Sequence, residues 1–143
     1  LVVNPFELIG QYINNDEEEV IIVSDSSVPD ERMSFGLVIG TTRGVELVHV
    51  SGPAWGTPSS HRAESWGMLA GPILLEQLAT YTGLEIQGTK VSVYSDNEGL
   101  ITRERERQRF STNYPSATLH PDWDVTEEIH TRYEKLGIEA QYI

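Results

Sequence analysis

Four consecutive β-branched residues, Val20-Ile21-Ile22-Val23, restrict this chain more than any other feature. A short apolar run without alternation suits a strand buried on both faces, the kind found in α/β sheets. It leads directly into Ser24-Asp25-Ser26-Ser27. A comparable run, Val91-Ser92-Val93-Tyr94-Ser95, ends at Asp96. Between these strands, Phe35–Ile39 and Val45–Val50 read as two more, joined by Thr41-Thr42-Arg43-Gly44 with Gly44 supplying a positive φ. From His61 to about Tyr81, Ala63, Trp66, Leu69, Ala70, Ile73, Leu74 and Leu78 recur at helical spacing. Gly67 and Gly71 lie four apart on that helix and allow close approach to a sheet, while Pro72 removes one of its backbone hydrogen bonds.

A short charged helix is expected from Glu98 to Arg109. Asp124-Val125-Thr126-Glu127 reads as a capping box opening a last helix that runs to Lys135 and closes at Gly137. Ile138–Ile143 alternates as a fifth strand. The order β-β-β-α-β-α-α-β predicts an α/β domain over residues 20–143 with a mixed sheet. Residues 1–19 read as an N-terminal arm or linker, with a helix start at Asn4-Pro5-Phe6-Glu7 and an acidic run from Asp16.

With 143 residues the chain forms one domain and can bury about 70% of its unfolded surface without help from metal or disulfide. The absence of cysteine removes disulfide frameworks, thiol nucleophiles and cysteine-ligated zinc. His49, His61, His120 and His130 are too scattered for a zinc site. No Gly-x-Ser-x-Gly elbow accompanies the serines around Asp25. Trp55, Trp66 and Trp123 read as core or anchoring residues. No apolar run approaches a membrane span, and an intracellular location is expected. The net charge of −12 repels polyanions at long range and attracts divalent cations; taken alone, it argues against a nucleic-acid binder.

Among the many carboxylates, Asp25 and Asp96 stand out because each closes an apolar strand. A crossover through the long helix makes the first and fourth strands parallel neighbours, so their C-terminal ends lie side by side. Glu64, expected in the first turn of that helix, can face both. Three carboxylates so gathered need compensating positive charge. Arg62 is the nearest basic residue in sequence. A pair of Mg²⁺ or Mn²⁺ ions suits the all-oxygen donor set better.

These segments carry a resemblance. Ile21-Ile22-Val23-Ser24-Asp25-Ser26-Ser27, the Phe35-Gly36 strand, Ser60-His61-Arg62-Ala63-Glu64 and Val93-Tyr94-Ser95-Asp96-Asn97 together resemble the ribonuclease H family. The closest likeness is to the RNase H domains of reverse-transcriptase polyproteins of retroelements. The resemblance implies a five-stranded sheet in order 3-2-1-4-5. It implies a metal-dependent endonuclease that hydrolyses the RNA strand of RNA–DNA hybrids with two Mg²⁺ ions, Mn²⁺ substituting. Asp25, Glu64 and Asp96 would be the catalytic, metal-binding carboxylates, and Ser60, His61 and Asn97 would contact the substrate. A covalently linked reverse transcriptase domain is the implied neighbour.

The family also has a fourth carboxylate and a histidine loop beyond its fifth strand, so a C-terminal helix is expected past Ile143. Asp122 and Asp124 are not taken as substitutes, because Asp124 reads as a helix cap. Glu98 stands where a neutral amide would suit a phosphate-bearing substrate better. Arg103, Arg105, Arg107 and Arg109 alternate with Glu104 and Glu106, the pattern of a salt-bridged face more than of a substrate grip. The alternative is a non-catalytic RNase H-like structural or docking module. A more distant one is another nuclease of the superfold, of transposase or junction-resolving type.

Overall fold

The computed structural model describes residues 19–28, 32–44, 46–83, 85–109 and 122–143. The N-terminal arm up to residue 18, Val45 and His120 lie outside them. The elements follow the expected order: β1 (Val20–Ser27), β2 (Ser34–Thr41), β3 (Glu46–Pro53), α1 (Ser60–Thr82), β4 (Lys90–Tyr94), α2 (Glu98–Gln108), α3 (Trp123–Leu136) and β5 (Glu139–Tyr142). They form one mixed sheet in the order β3-β2-β1-β4-β5, as expected. β1 is antiparallel to β2 and parallel to β4, and β5 is parallel to β4. Gly44, at φ 86°, makes the turn between β2 and β3.

One face of the sheet carries the core. Val20, Ile22, Leu37, Ile39, Val91, Val93, Ala140 and Tyr142 are buried there, against Met68, Leu75 and Leu78 of α1, Leu100 and Ile101 of α2, and Val125, Ile129 and Tyr133 of α3. β1 is therefore not buried on both faces. Ile21 is half-buried and Val23 is 40% exposed, because all three helices add to the same core and the opposite face has no cover among the described residues. Val23 is flanked there by Val38 and Tyr94, which are also exposed.

α1 begins at Ser60, with the Ser59 side chain accepting from the Arg62 N–H at 3.0 Å, and runs unbroken through Pro72 to Gly83. Its close approach to β1 depends on two glycines. A Cβ on Gly67 would lie 3.2 Å from the Cβ atoms of Phe35 and Ser24. One on Gly71 would lie 3.1 Å from both Ile22 Cδ1 and Tyr133 Oη.

α3 departs from the expected start. It begins at Trp123, so Asp124 lies inside the first turn and is not its cap. Glu127 does not reach back to a cap either; it pairs with Arg107 at 2.8 Å and 2.9 Å. Gly137 closes the helix at φ 67°, as expected. At the sheet edge, the N–H of Glu139 donates to the carbonyl of Thr89, just before β4, and that of Ile143 to Val93 within it, which turns the Ala140 and Tyr142 carbonyls outward. α2 meets both: Arg105 Nε donates to the Tyr142 carbonyl at 2.7 Å and Gln108 Nε2 to the Ala140 carbonyl at 2.8 Å.

Candidate active site

Two of the three carboxylates are set by strand register. The parallel pairing of β1 with β4 runs from Val20 opposite Val91 to Val23 opposite Tyr94. Asp25 and Asp96 each stand two residues past that last pair, so their side chains arrive at one end of the sheet. Asp25 is itself within β1, opposite Gly36, and does not follow the strand as its sequence context suggested. The third comes from α1, held close by Gly67. Because α1 starts at Ser60, Glu64 lies past the first turn, where the helix dipole explains it less well.

One oxygen from each of Asp25, Glu64 and Asp96 lies within 4.8 Å of the other two. Asp25 and Asp96 are exposed, while Glu64 is 9% exposed. Burial pushes the Glu64 carboxyl above its ordinary range, and the Asp96 charge adds to this; the Ser95 hydroxyl, donating to Oε2 at 3.0 Å, works against it. Ser95 in turn accepts from the Asn97 N–H at 3.2 Å, and Asp25 Oδ1 accepts from the Ser26 N–H at 2.8 Å. Ser95 was legible in the sequence only as a strand-end polar residue, although it holds the most buried of these three carboxylates in place.

Arg62 does not supply the compensating charge. Its guanidinium donates to both carboxylate oxygens of Asp124 at 3.0 Å and 2.9 Å, to Asp122 at 3.2 Å and to the Trp55 carbonyl. Every neighbour that moves the Glu64 titration is neutral or negative. A hard cation fits this set: all donors are carboxylate oxygens, they converge, and among the described residues no protein cation is seen to act on Glu64.

The remaining sequence candidates lie nearby or serve the fold. Ser60 opens α1. His61 is paired through Nδ1 with Asp122 Oδ2 at 2.8 Å, a contact the sequence did not disclose. Asn97 caps α2, its Oδ1 accepting from the Leu100 N–H at 3.1 Å. His49 pairs with Glu46 three residues away and His130 with Glu134 four residues away. Trp66 packs on the core, but Trp55 is 62% exposed and is no core residue.

No family model and no curated protein matches the chain. Solved structures do. LC11-RNase H1, isolated from compost by a metagenomic approach and solved with an RNA/DNA hybrid, aligns with TM-score 0.60 at 16% identity, covering 87% of this chain and 85% of that one. The fold is that of ribonuclease H. The N-terminal RNase H domain of Rv2228c from Mycobacterium tuberculosis aligns with TM-score 0.57 at 16% identity, over 87% of this chain and 80% of that one. Prototype foamy virus protease-reverse transcriptase aligns with TM-score 0.54 at 17% identity; the match spans 99% of this chain and 18% of the viral protein. The RNase H resemblance drawn from the sequence is met at the level of fold. Among the described residues, no helix is long and apolar enough to cross a membrane.

Proposed function

We propose that this chain is an RNase H-type endonuclease that hydrolyses the RNA strand of RNA–DNA hybrids, with Asp25, Glu64 and Asp96 as ligands for divalent cations. One observation carries the reading: three carboxylates from three separate elements converge within 4.8 Å, and among the described residues no basic side chain shifts the titration of the buried one, Glu64. Two Mg²⁺ ions, or Mn²⁺ in their place, would supply charge neutralisation and Lewis-acid activation of water at the phosphodiester. The chain's own part is to hold the ligands. The Ser26 N–H fixes Asp25, and the Ser95 hydroxyl orients Glu64 and favours its charged form. Hybrid duplexes are recognised by shape and 2′-hydroxyls. Ser60, His61 and Asn97 are the residues assigned to that contact, Asn97 through its amide nitrogen because its oxygen caps α2. A linked reverse transcriptase domain belongs to the same reading, supported by the alignment with the foamy virus protein, and an intracellular setting goes with it as an expectation.

The non-catalytic module is favoured by one feature. Arg105 and Arg107 are spent on β5 and Glu127, which takes them from any substrate grip. Incubating the chain with labelled hybrid, duplex DNA and duplex RNA, each with Mg²⁺, Mn²⁺ or EDTA, separates the readings. The nuclease cuts only the RNA of the hybrid, needs the cation and is silenced by Asp96→Asn. A folded chain that cuts nothing under any cation, even when extended past Ile143 to carry the next acidic residue, is the module. Cleavage of duplex DNA or of junctions would indicate the other nucleases of this fold.

A further inference from the structure

Asp122 is unusual in three respects. It is the one non-glycine residue with a positive φ, 59°, among the described residues. It stands at the N-cap of α3, yet its carboxylate makes no capping hydrogen bond. Instead that carboxylate, 13% exposed, crosses to the start of α1, where Oδ2 meets His61 Nδ1 at 2.8 Å and Oδ1 meets Arg62 Nη1 at 3.2 Å. Stapling α3 to α1 does not require this arrangement, because Arg62 already holds Asp124 through two hydrogen bonds. A strained backbone and a forgone cap are often the signature of a functional placement.

Building on the nuclease reading, we propose that Asp122 is a positioning residue that fixes the His61 ring, so that His61 accepts a hydrogen bond from a ribose 2′-hydroxyl of the hybrid. A carboxylate can only accept, so the Nδ1 of His61 carries the ring proton and donates it to Asp122. With the proton held on Nδ1, the Nε2 of that tautomer is the nitrogen left to accept. His61 lies one helical turn before Glu64, on the same flank of α1, and its side chain retains 28% exposure. An acceptor there, close to the carboxylates, suits a hydroxyl donor, which RNA has and DNA lacks. Arg62 completes the device by holding the second oxygen of Asp122, so the carboxylate cannot swing away from the imidazole.

The test compares wild type, Asp122→Gly, Asp122→Asn, His61→Ala and the double variant His61→Ala/Asp122→Gly. Glycine accepts the positive φ without strain, so Asp122→Gly removes the carboxylate while relieving the backbone. Cleavage of labelled hybrid gives KM and kcat, and a DNA duplex of the same sequence serves as competitive inhibitor. Asp122→Gly raises KM for the hybrid about 3–10-fold, the loss expected for one hydrogen bond, with kcat nearly unchanged. The inhibition constant of the DNA duplex stays the same. Asp122→Asn, whose amide oxygen still accepts from Nδ1 but whose amide nitrogen cannot accept from Arg62, falls between wild type and Asp122→Gly. The double variant is no worse than His61→Ala. Nitrogen NMR of the imidazole shows Nδ1 protonated in wild type and a tautomer mixture in Asp122→Gly. Additive losses in the double variant, equal weakening toward hybrid and DNA, or an Nε2-protonated ring in wild type would each overturn the proposal. If wild type cuts the hybrid and Asp122→Gly cuts it with the same KM, only the positioning role fails. If wild type cuts no hybrid even when extended past Ile143 to carry the next acidic residue, the nuclease reading fails and takes this role with it.

Discussion

Replacing Glu104 with glutamine isolates the largest titration displacement that this fold imposes on a carboxyl group. Glu104 lies on α2 with 1% exposure, and its Oε2 has no hydrogen-bond partner among the described residues. Burial is the main cause that lifts its pKa from the usual 4.5 to about 8. Arg103 and Arg107 on its own helix pull the other way, and Glu127 on α3 adds to the rise. The buried hydroxyls of Tyr133 on α3 and Tyr142 on β5 complete its titratable surroundings. The folded state therefore binds a proton that the unfolded chain releases near 4.5. Stability from this group is fully present below that value and is lost as pH rises through about 8. At about 1.4 kcal/mol per pH unit the loss has an upper limit of roughly 5 kcal/mol. Glutamine keeps the shape of the protonated acid and cannot ionise. Urea unfolding, followed by tryptophan fluorescence and circular dichroism, should show Glu104→Gln about 2–5 kcal/mol more stable than wild type at pH 9 and nearly equal to it at pH 4. Parallel pH profiles for the two proteins would refute the reasoning.

Gly71→Ala gains up to about 1 kcal/mol in helix propensity but presses on Ile22 and Tyr133 at a cost of roughly 1–3 kcal/mol, so thermal unfolding should shift downward. A stabilised variant would mean that α1 does not need its close approach to β1. Mn²⁺ titration by calorimetry should lose most of its heat in Asp25→Asn, and a binding curve equal to wild type would remove the site. Ser95→Ala deprives Glu64 of its hydroxyl donor and should weaken Mn²⁺ binding by about 10-fold or more, as for other residues that orient a ligand; unchanged affinity would make Ser95 a bystander. Arg62 lowers the Asp124 pKa through hydrogen bonding, so the stability of this pair is present above the usual carboxylate range and lost as pH falls through the depressed value. Asp124 is 62% exposed, so Asp124→Asn should cost only about 0.5–1 kcal/mol at pH 7, with the difference vanishing at low pH.

Strands were readable because each apolar run has one length, and the adjacency of the first and fourth because a crossover helix joins them; the full strand order came from the resemblance. Asp25 and Asp96 were readable because a charge at the end of such a run needs a reason. The first strand was misjudged on one point: a β-branched run tells how apolar a segment is, not which faces receive a helix, and Val23 remained open. Asp124 was misread because its spacing to Glu127 imitates a capping box, while the partners that capture both residues, Arg62 and Arg107, come from distant positions. The His61–Asp122 contact spans 61 positions and belongs to no local pattern. Long-range pairing of polar side chains is what a single sequence conceals, and here it surrounds the candidate site.

The side chains of Arg105 and Gln108, laid along the outside of β5, bear on how copies of this chain meet one another. A sheet margin with bare carbonyls is a template on which another extended segment can register, whether from a second copy or from a partly unfolded neighbour. Here the two outward carbonyls of the strand already accept from α2. Growth of the sheet past β5 would first require breaking both contacts. The strand is also only four residues long, too short to guide a long ladder. Arg105 and Gln108 of α2 thus act as a stop against lateral extension of the sheet past β5.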